Sequence, residues 1–139
     1  MYEYTRPVYY YETDQMGVVH HSNYIKWLEE ARTEFFKDVK LAYVETERLG
    51  VRCPITEINI KYKHPSRFGD NFKVFLKMTQ YTGVRFRIKY EVINDDGRLL
   101  ALGETSHAFI DKNHKPISLS SAIPERHEEM KKLIVEEQL

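Results

Sequence analysis

One cysteine, Cys53, stands in 139 residues, which excludes an internal disulfide framework and fits a reducing, cytoplasmic setting. No apolar run approaches the roughly 20 residues that a membrane-spanning helix needs. Residues Met1 to Arg6 lack the basic-then-apolar layout of a signal peptide. Neither sign of charge dominates: 21 basic residues balance 21 acidic ones, for a formal net charge of zero. That balance speaks against a nucleic-acid or membrane-surface binder and gives little protection against self-association. The chain has no G-x-S-x-G elbow, no G-x-G-x-x-G and no P-loop, which disfavours serine hydrolases and nucleotide enzymes. Repeats, low-complexity tracts and linkers are absent too. A single domain over residues 1–139 is therefore expected, long enough to bury a core.

What the chain has is aromatics: ten Tyr, seven Phe and one Trp, a set suited to strands and packed interfaces. Residues 2–12 read as a first strand, with Pro7 marking an edge position or an irregularity. A long helix is predicted from Ser22 or Asn23, either of which would cap it, to about Lys40. Tyr24, Trp27, Leu28, Ala31 and Phe35 form its apolar stripe, widened by Ile25, Phe36 and Val39. Arg32 falls inside this face three residues from Glu29, so an internal ion pair is expected. A shorter helical piece over 41–50 ends at Gly50, and Pro54 then opens the chain.

The period changes in the second half. Ile58, Ile60 and Tyr62 alternate with polar residues, which predicts a half-buried strand. A turn-rich loop over 64–71 follows, then strands through Phe72–Met78 and Val84–Val92, separated by Thr82-Gly83. Asn94-Asp95-Asp96-Gly97 is a hairpin turn, and residues 98–111 form the last strand. After Pro124, Glu125–Leu139 reads as an exposed terminal helix, an appendage with Met130, Leu133 and Ile134 on one side. One strand, a broad-faced helix and four consecutive antiparallel strands imply an α+β domain whose meander curls around the helix.

Between the first strand and the long helix lies Tyr11-Glu12-Thr13-Asp14-Gln15-Met16-Gly17-Val18-Val19-His20-His21-Ser22-Asn23-Tyr24. It sets an acid, a flexible glycine and two histidines just before a helix start. Helix starts present unpaired N–H groups and a partial positive charge, which can polarise a carbonyl oxygen. An Asp just upstream supplies an attacking or proton-accepting group. This is a compact, metal-free arrangement for acyl chemistry. Adjacent histidines on an extended segment would point opposite ways, which argues against a shared metal at Asp14, His20 and His21. His127-Glu128-Glu129-Met130-Lys131 starts like a zinc-protease motif but has Lys131 where a second His is required. Cys53 beside Pro54 reads as structural.

From Asp14 to Tyr24, with Glu29, Ala31, Arg32 and Glu34 following, the chain resembles the hotdog-fold acyl-CoA thioesterases. It is most similar to the 4-hydroxybenzoyl-CoA thioesterase family, in the branch of the Tol–Pal-associated thioesterases. Pro54-Ile55-Thr56-Glu57, the Tyr62–Asp70 loop and Gly103-Glu104-Thr105-Ser106-His107 extend the likeness over roughly residues 5–125. The resemblance implies a sheet wrapped around a central helix, pairing into homodimers or homotetramers with sites at a dimer interface. It also implies hydrolysis of an acyl thioester, with no cofactor beyond the coenzyme A carried by the substrate. Asp14 matches the family's catalytic carboxylate and His21 its histidine, whose backbone N–H would polarise the thioester. Gly17 would let the loop approach the substrate. His20 departs from the family, where an aromatic residue is usual.

Coenzyme A carries phosphates, so Arg67 and Arg85 are the candidates for binding it, ahead of Lys61, Lys63 and Arg87. Tyr24 is a candidate for the acyl pocket, whereas Trp27 and Phe35 read as core. Two other function classes fit the same resemblance. One is a hotdog dehydratase or hydratase that leaves the thioester intact. The other is a non-catalytic module that holds an acyl carrier protein partner, and Asp14 in an intact motif favours hydrolysis over both.

Overall fold

The alternating runs become strands in the computed structural model, which describes residues 1–138. These are β1 (Tyr2–Pro7), β2 (Ile55–Tyr62), β3 (Asn71–Tyr81), β4 (Arg85–Asn94) and β5 (Leu99–Ala108). The helices are α1 (Ser22–Asp38), α2 (Tyr43–Arg48), α3 (Leu119–Ala122) and α4 (Pro124–Gln138). Among the described residues no helix is long and apolar enough to cross a membrane.

All five strands form one antiparallel sheet in the order β1-β3-β4-β5-β2. Only β3, β4 and β5 make the expected meander. β2 does not neighbour β3 but crosses to the far edge, pairing with β5 from Ile55↔His107 to Tyr62↔Ala101. The reason lies in the Lys63–Asp70 segment, which is too long for a tight hairpin and is held elsewhere. Its Ser66 and Asp70 carbonyls accept the N–H groups of Val19 and Val8. As an edge strand β2 is not half-buried as its pattern suggested. Ile58 and Tyr62 are 38% and 49% exposed.

β1 is also an edge strand, as Pro7 implied, but it stops there instead of running to residue 12. Tyr10–Glu12 is a 3-10 turn, drawn tight because the Glu12 carboxylate accepts the Tyr9 N–H at 2.8 Å. β5 likewise ends at Ala108, short of residue 111, and Ile110 bridges Arg52 and Pro116 instead.

α1 lies on the face where β3, β4 and β5 point Phe72, Val74, Leu76, Phe86, Ile88, Tyr90 and Ala101 inward, all at most 1% exposed. Trp27 stacks on Phe72 with centroids 3.8 Å apart, and Phe36 meets Phe86 edge-on. Leu28 presses on β5 at Gly103, where an added Cβ would come within 2.8 Å of its Cδ1. A glycine inside a strand is explained here by the close approach of the helix. Gly103→Ala is expected to cost about 1 kcal/mol, since a packed neighbour must shift. A lower denaturant midpoint at unchanged m-value would show it.

Several details of the helices differ from the pattern. α1 ends at Asp38, two residues early, and Lys40 takes a left-handed φ of 64°. Ile25 is 40% exposed and stands outside the core face. Arg32 does not pair with Glu29. It is buried, and donates to the hydroxyls of Tyr90 and Tyr43 at 3.1 Å each. α4 is not an exposed appendage, because Met130 and Leu133 are buried members of the core. Its predicted last residue, Leu139, lies outside the described residues.

Candidate active site

Thr13–Val19 forms a small hairpin. Thr13 and Val19 bridge, the Asp14 N–H donates to Val18 O at 2.8 Å, and the Gly17 N–H returns to Asp14 O at 3.0 Å. A three-residue loop closed this way needs a left-handed residue at its end. Gly17 supplies it with a φ of 79°. Asp14 opens the turn, and its Oδ1 accepts the N–H groups of Met16 at 2.8 Å and Val18 at 3.3 Å. Its Oδ2 takes no hydrogen bond from the described residues, so one carboxylate oxygen is fixed and the other is available.

Two residues on, the chain turns into α1. His21 is the N-cap residue, already in helical conformation, and no side chain caps from that position. Neither Ser22 nor Asn23 is the cap that the sequence suggests. The His20 ring takes that part, with Nδ1 3.2 Å from the Ser22 nitrogen and 2.8 Å from its Oγ. Asn23 is buried and turns its Nδ2 to the Glu12 carbonyl at 2.9 Å. Because the segment is turning and not extended, the His20 and His21 rings do not diverge but stack at 4.2 Å. The Asn23 and Tyr24 amides find His20 and His21 carbonyls, whereas the His21 N–H has no acceptor among the described residues. A free amide at a helix start is the donor expected for a polarised carbonyl.

Asp14 and His21 share an open cleft of about 300 Å³ with Val19, Tyr24, Tyr62, Lys63, His64 and Pro65. Tyr24 forms part of its wall, with its hydroxyl 2.9 Å from Ser66 Oγ and its ring edge-on to Tyr62. Burial, only partly offset by the Ser66 contacts, raises the Tyr24 pKa. Tyr62 closes the other side by donating its hydroxyl to His21 O at 3.0 Å. Arg67 joins the site through its backbone, which bridges Val18.

Arg85 does not. It begins β4, whereas the site lies at the end marked by Asn94 and its neighbour Phe72. Ten residues of strand put roughly 30 Å between those ends. Of the other basic candidates, Lys63 lines the cleft, and Arg87 is engaged by Glu104 at 2.9 Å. Cys53 is remote from Asp14, beside the Arg32 cluster. Burial, against the pull of the Arg32 charge, pushes its thiol up to about 12.

Sequence reasoning passed over Glu12. It is 2% exposed, yet its carboxylate meets Arg6 Nη1 and Nη2 at 2.9 and 2.8 Å. Trp27 Nε1 donates to it as well, at 2.8 Å. Burial alone would raise its pKa, but these donors and the Tyr9 N–H outweigh that and lower it. An acid within an aromatic run, with an Arg six residues before it, was the available signal.

The profile of the thioesterase-like superfamily matches residues 8–132 of the chain. The chain belongs to that superfamily. A Bacillus subtilis (strain 168) protein provisionally named acyl-CoA thioesterase YneP is 39% identical over 121 residues, covering 86% of this chain and 88% of its own. The solved DHNA-CoA thioesterase of Staphylococcus aureus is 33% identical, with a TM-score of 0.89 over 94% of this chain and 88% of its own. The acyl-CoA thioester hydrolase YbgC of Escherichia coli O157:H7 is 26% identical over 84% of this chain and 87% of its own. Membership of the thioesterase-like superfamily accounts for the hotdog arrangement of α1 on the sheet, and it makes the chain a thioester hydrolase by family.

Proposed function

We propose that the protein hydrolyses acyl-CoA thioesters to a free acid and coenzyme A in the cytoplasm, with Asp14 as its catalytic carboxylate. The observation that carries this reading is the juxtaposition of a carboxylate with one free oxygen and an unengaged helix-start amide, both on one cleft. The thioester carbonyl oxygen would take the His21 N–H, which gains strength as charge develops on that oxygen. Asp14 then attacks the carbonyl carbon, expelling the thiolate and leaving a mixed anhydride for water to open, or removes a proton from the attacking water. Both routes consume one water and release one acid and one thiol.

Tyr24, Tyr62 and His21 give the cleft rings with flat faces and polar tips, which suits an aromatic acyl group. The S. aureus relative carries DHNA-CoA in its name, in keeping with that choice. Lys63 on the cleft wall, and Arg67 on the loop that bridges Val18, are the cations we assign to the phosphates of coenzyme A or of an acyl carrier protein's prosthetic arm. The bare edge of β2, ending in Tyr62 at the cleft, is the seam we assign to a second copy in a homodimer or homotetramer.

Thiol release from a panel of aromatic and short-, medium- and long-chain acyl-CoAs tests the reading. Turnover is expected, with the highest kcat/KM for an aryl-CoA. Absence of release from every member would overturn the thioesterase reading, and a preference for long aliphatic chains would overturn the aromatic one.

A further inference from the structure

We propose that Glu12 is a positioning residue for Asp14, holding the catalytic loop and the helix start in one frame through Arg6 and Trp27. The inference rests on the reading of Asp14 given above. Glu12 sits two residues before Asp14, and it is tied to every element that meets there. Its carboxylate receives Arg6 of β1, the Tyr9 N–H of the 3-10 turn and the Trp27 indole of α1. Its carbonyl receives the His20 N–H at 2.9 Å and Asn23 Nδ2 at 2.9 Å. One residue thus grips both the entry and the exit of the hairpin that carries Asp14. The same contacts fix where the His21 amide stands relative to that carboxylate.

An ion pair serving stability alone would need only Arg6, which Glu30 already engages at 2.7 Å. The additional indole and amide donors fix the direction of the Glu12 carboxylate as well as neutralising Arg6. Burying a carboxylate is costly, and a whole buried ion pair replaced by well-packed apolar residues often leaves a fold as stable or more so. The retention of Glu12 beside the catalytic group is explained if the loop geometry is what matters. A displacement of the reacting groups by about 1 Å can cost up to a hundredfold in rate.

The test is Trp27→Phe, which removes the indole donor to Glu12 while keeping a ring on Phe72. We expect kcat to fall about tenfold with KM within about twofold of wild type. In an Asp14→Asn background the same change should have no further effect on the residual rate. Phe86→Leu is the control: it loosens the core at Phe36 and Phe109, away from the partners of Glu12, and should lower Tm while leaving kcat in place. An unchanged kcat in Trp27→Phe, an equal loss in both backgrounds, or a matching kcat loss in Phe86→Leu would overturn the inference. If Asp14→Asn alone retains wild-type turnover, the Asp14 reading fails and this one with it. Loss in Asp14→Asn but not in Trp27→Phe removes only this one.

Discussion

Asp14→Asn should lower kcat by about a thousandfold, the size expected when a positioned carboxylate is removed from a proton-transfer or nucleophilic step. The substitution isolates the chemistry because the amide oxygen of Asn can still accept the Met16 and Val18 N–H groups that Oδ1 holds now. The hairpin, and the φ of 79° at Gly17 that closes it, therefore has no reason to change. What is lost is the carboxylate charge, and the free oxygen gives way to an amide NH2 that can neither attack a carbonyl nor take a proton. Circular dichroism and Tm should match wild type, and KM should move little, since the cleft walls of Tyr24, Tyr62 and Lys63 are untouched. Wild-type turnover in this variant would remove Asp14 from the mechanism.

Between pH 7 and pH 5 the fold should lose about 2 kcal/mol of stability through His107 alone. The residue is 1% exposed, stacked on Phe86 at 4.5 Å, with Nε2 2.8 Å from Thr105 Oγ1 and Nδ1 without a partner among the described residues. Burial first, and the Arg32 charge second, push its pKa down from 6.5 to about 3. The unfolded chain takes up a proton near pH 6.5 that the folded chain refuses. The contribution of His107 is accordingly complete above pH 6.5 and is lost as the pH falls below it. Glu12 does not confound this window. Its lowered pKa favours the fold above the usual carboxylate range, and that contribution fades only at more acid pH. Chemical denaturation at a series of pH values should show the slope, and His107→Gln should flatten it. A wild-type curve level from pH 7 to 5 would refute the assignment.

The parts of the molecule that could be read from sequence are those fixed by short-range pattern. The α1 stripe is a matter of helical spacing, and the Asp14–Gly17 turn of local backbone chemistry. Strand order was not legible, because the partner of β2 is decided by where the Lys63–Asp70 segment is anchored, through Val8 and Val19. The contrast between Arg67 and Arg85 has the same origin: both lie beside strands, and only the register tells which end of the sheet each occupies. Glu12 escaped because its partners stand six residues before it and fifteen after, a spacing that belongs to no helix or strand. Arg32 was placed correctly on the buried face but given the wrong partner. Glu29 is close in sequence, yet it points to solvent while Tyr43 and Tyr90 sit within reach.

The contacts that hold Asp14 run from Arg6 through Glu12, His20 and Asn23 to Trp27 and Glu30, all within one early stretch of the chain. Short loops close at small entropic cost, so this frame is the portion of the molecule that can assemble soonest after collapse. Half of the cleft lining comes from elsewhere, from Tyr62 to Pro65, and stands opposite Val19, His21 and Tyr24 of that early stretch. The reacting apparatus and part of the selecting wall are thus encoded in different segments. Drift in the later segments can retune what the cleft admits while the carboxylate stays in place.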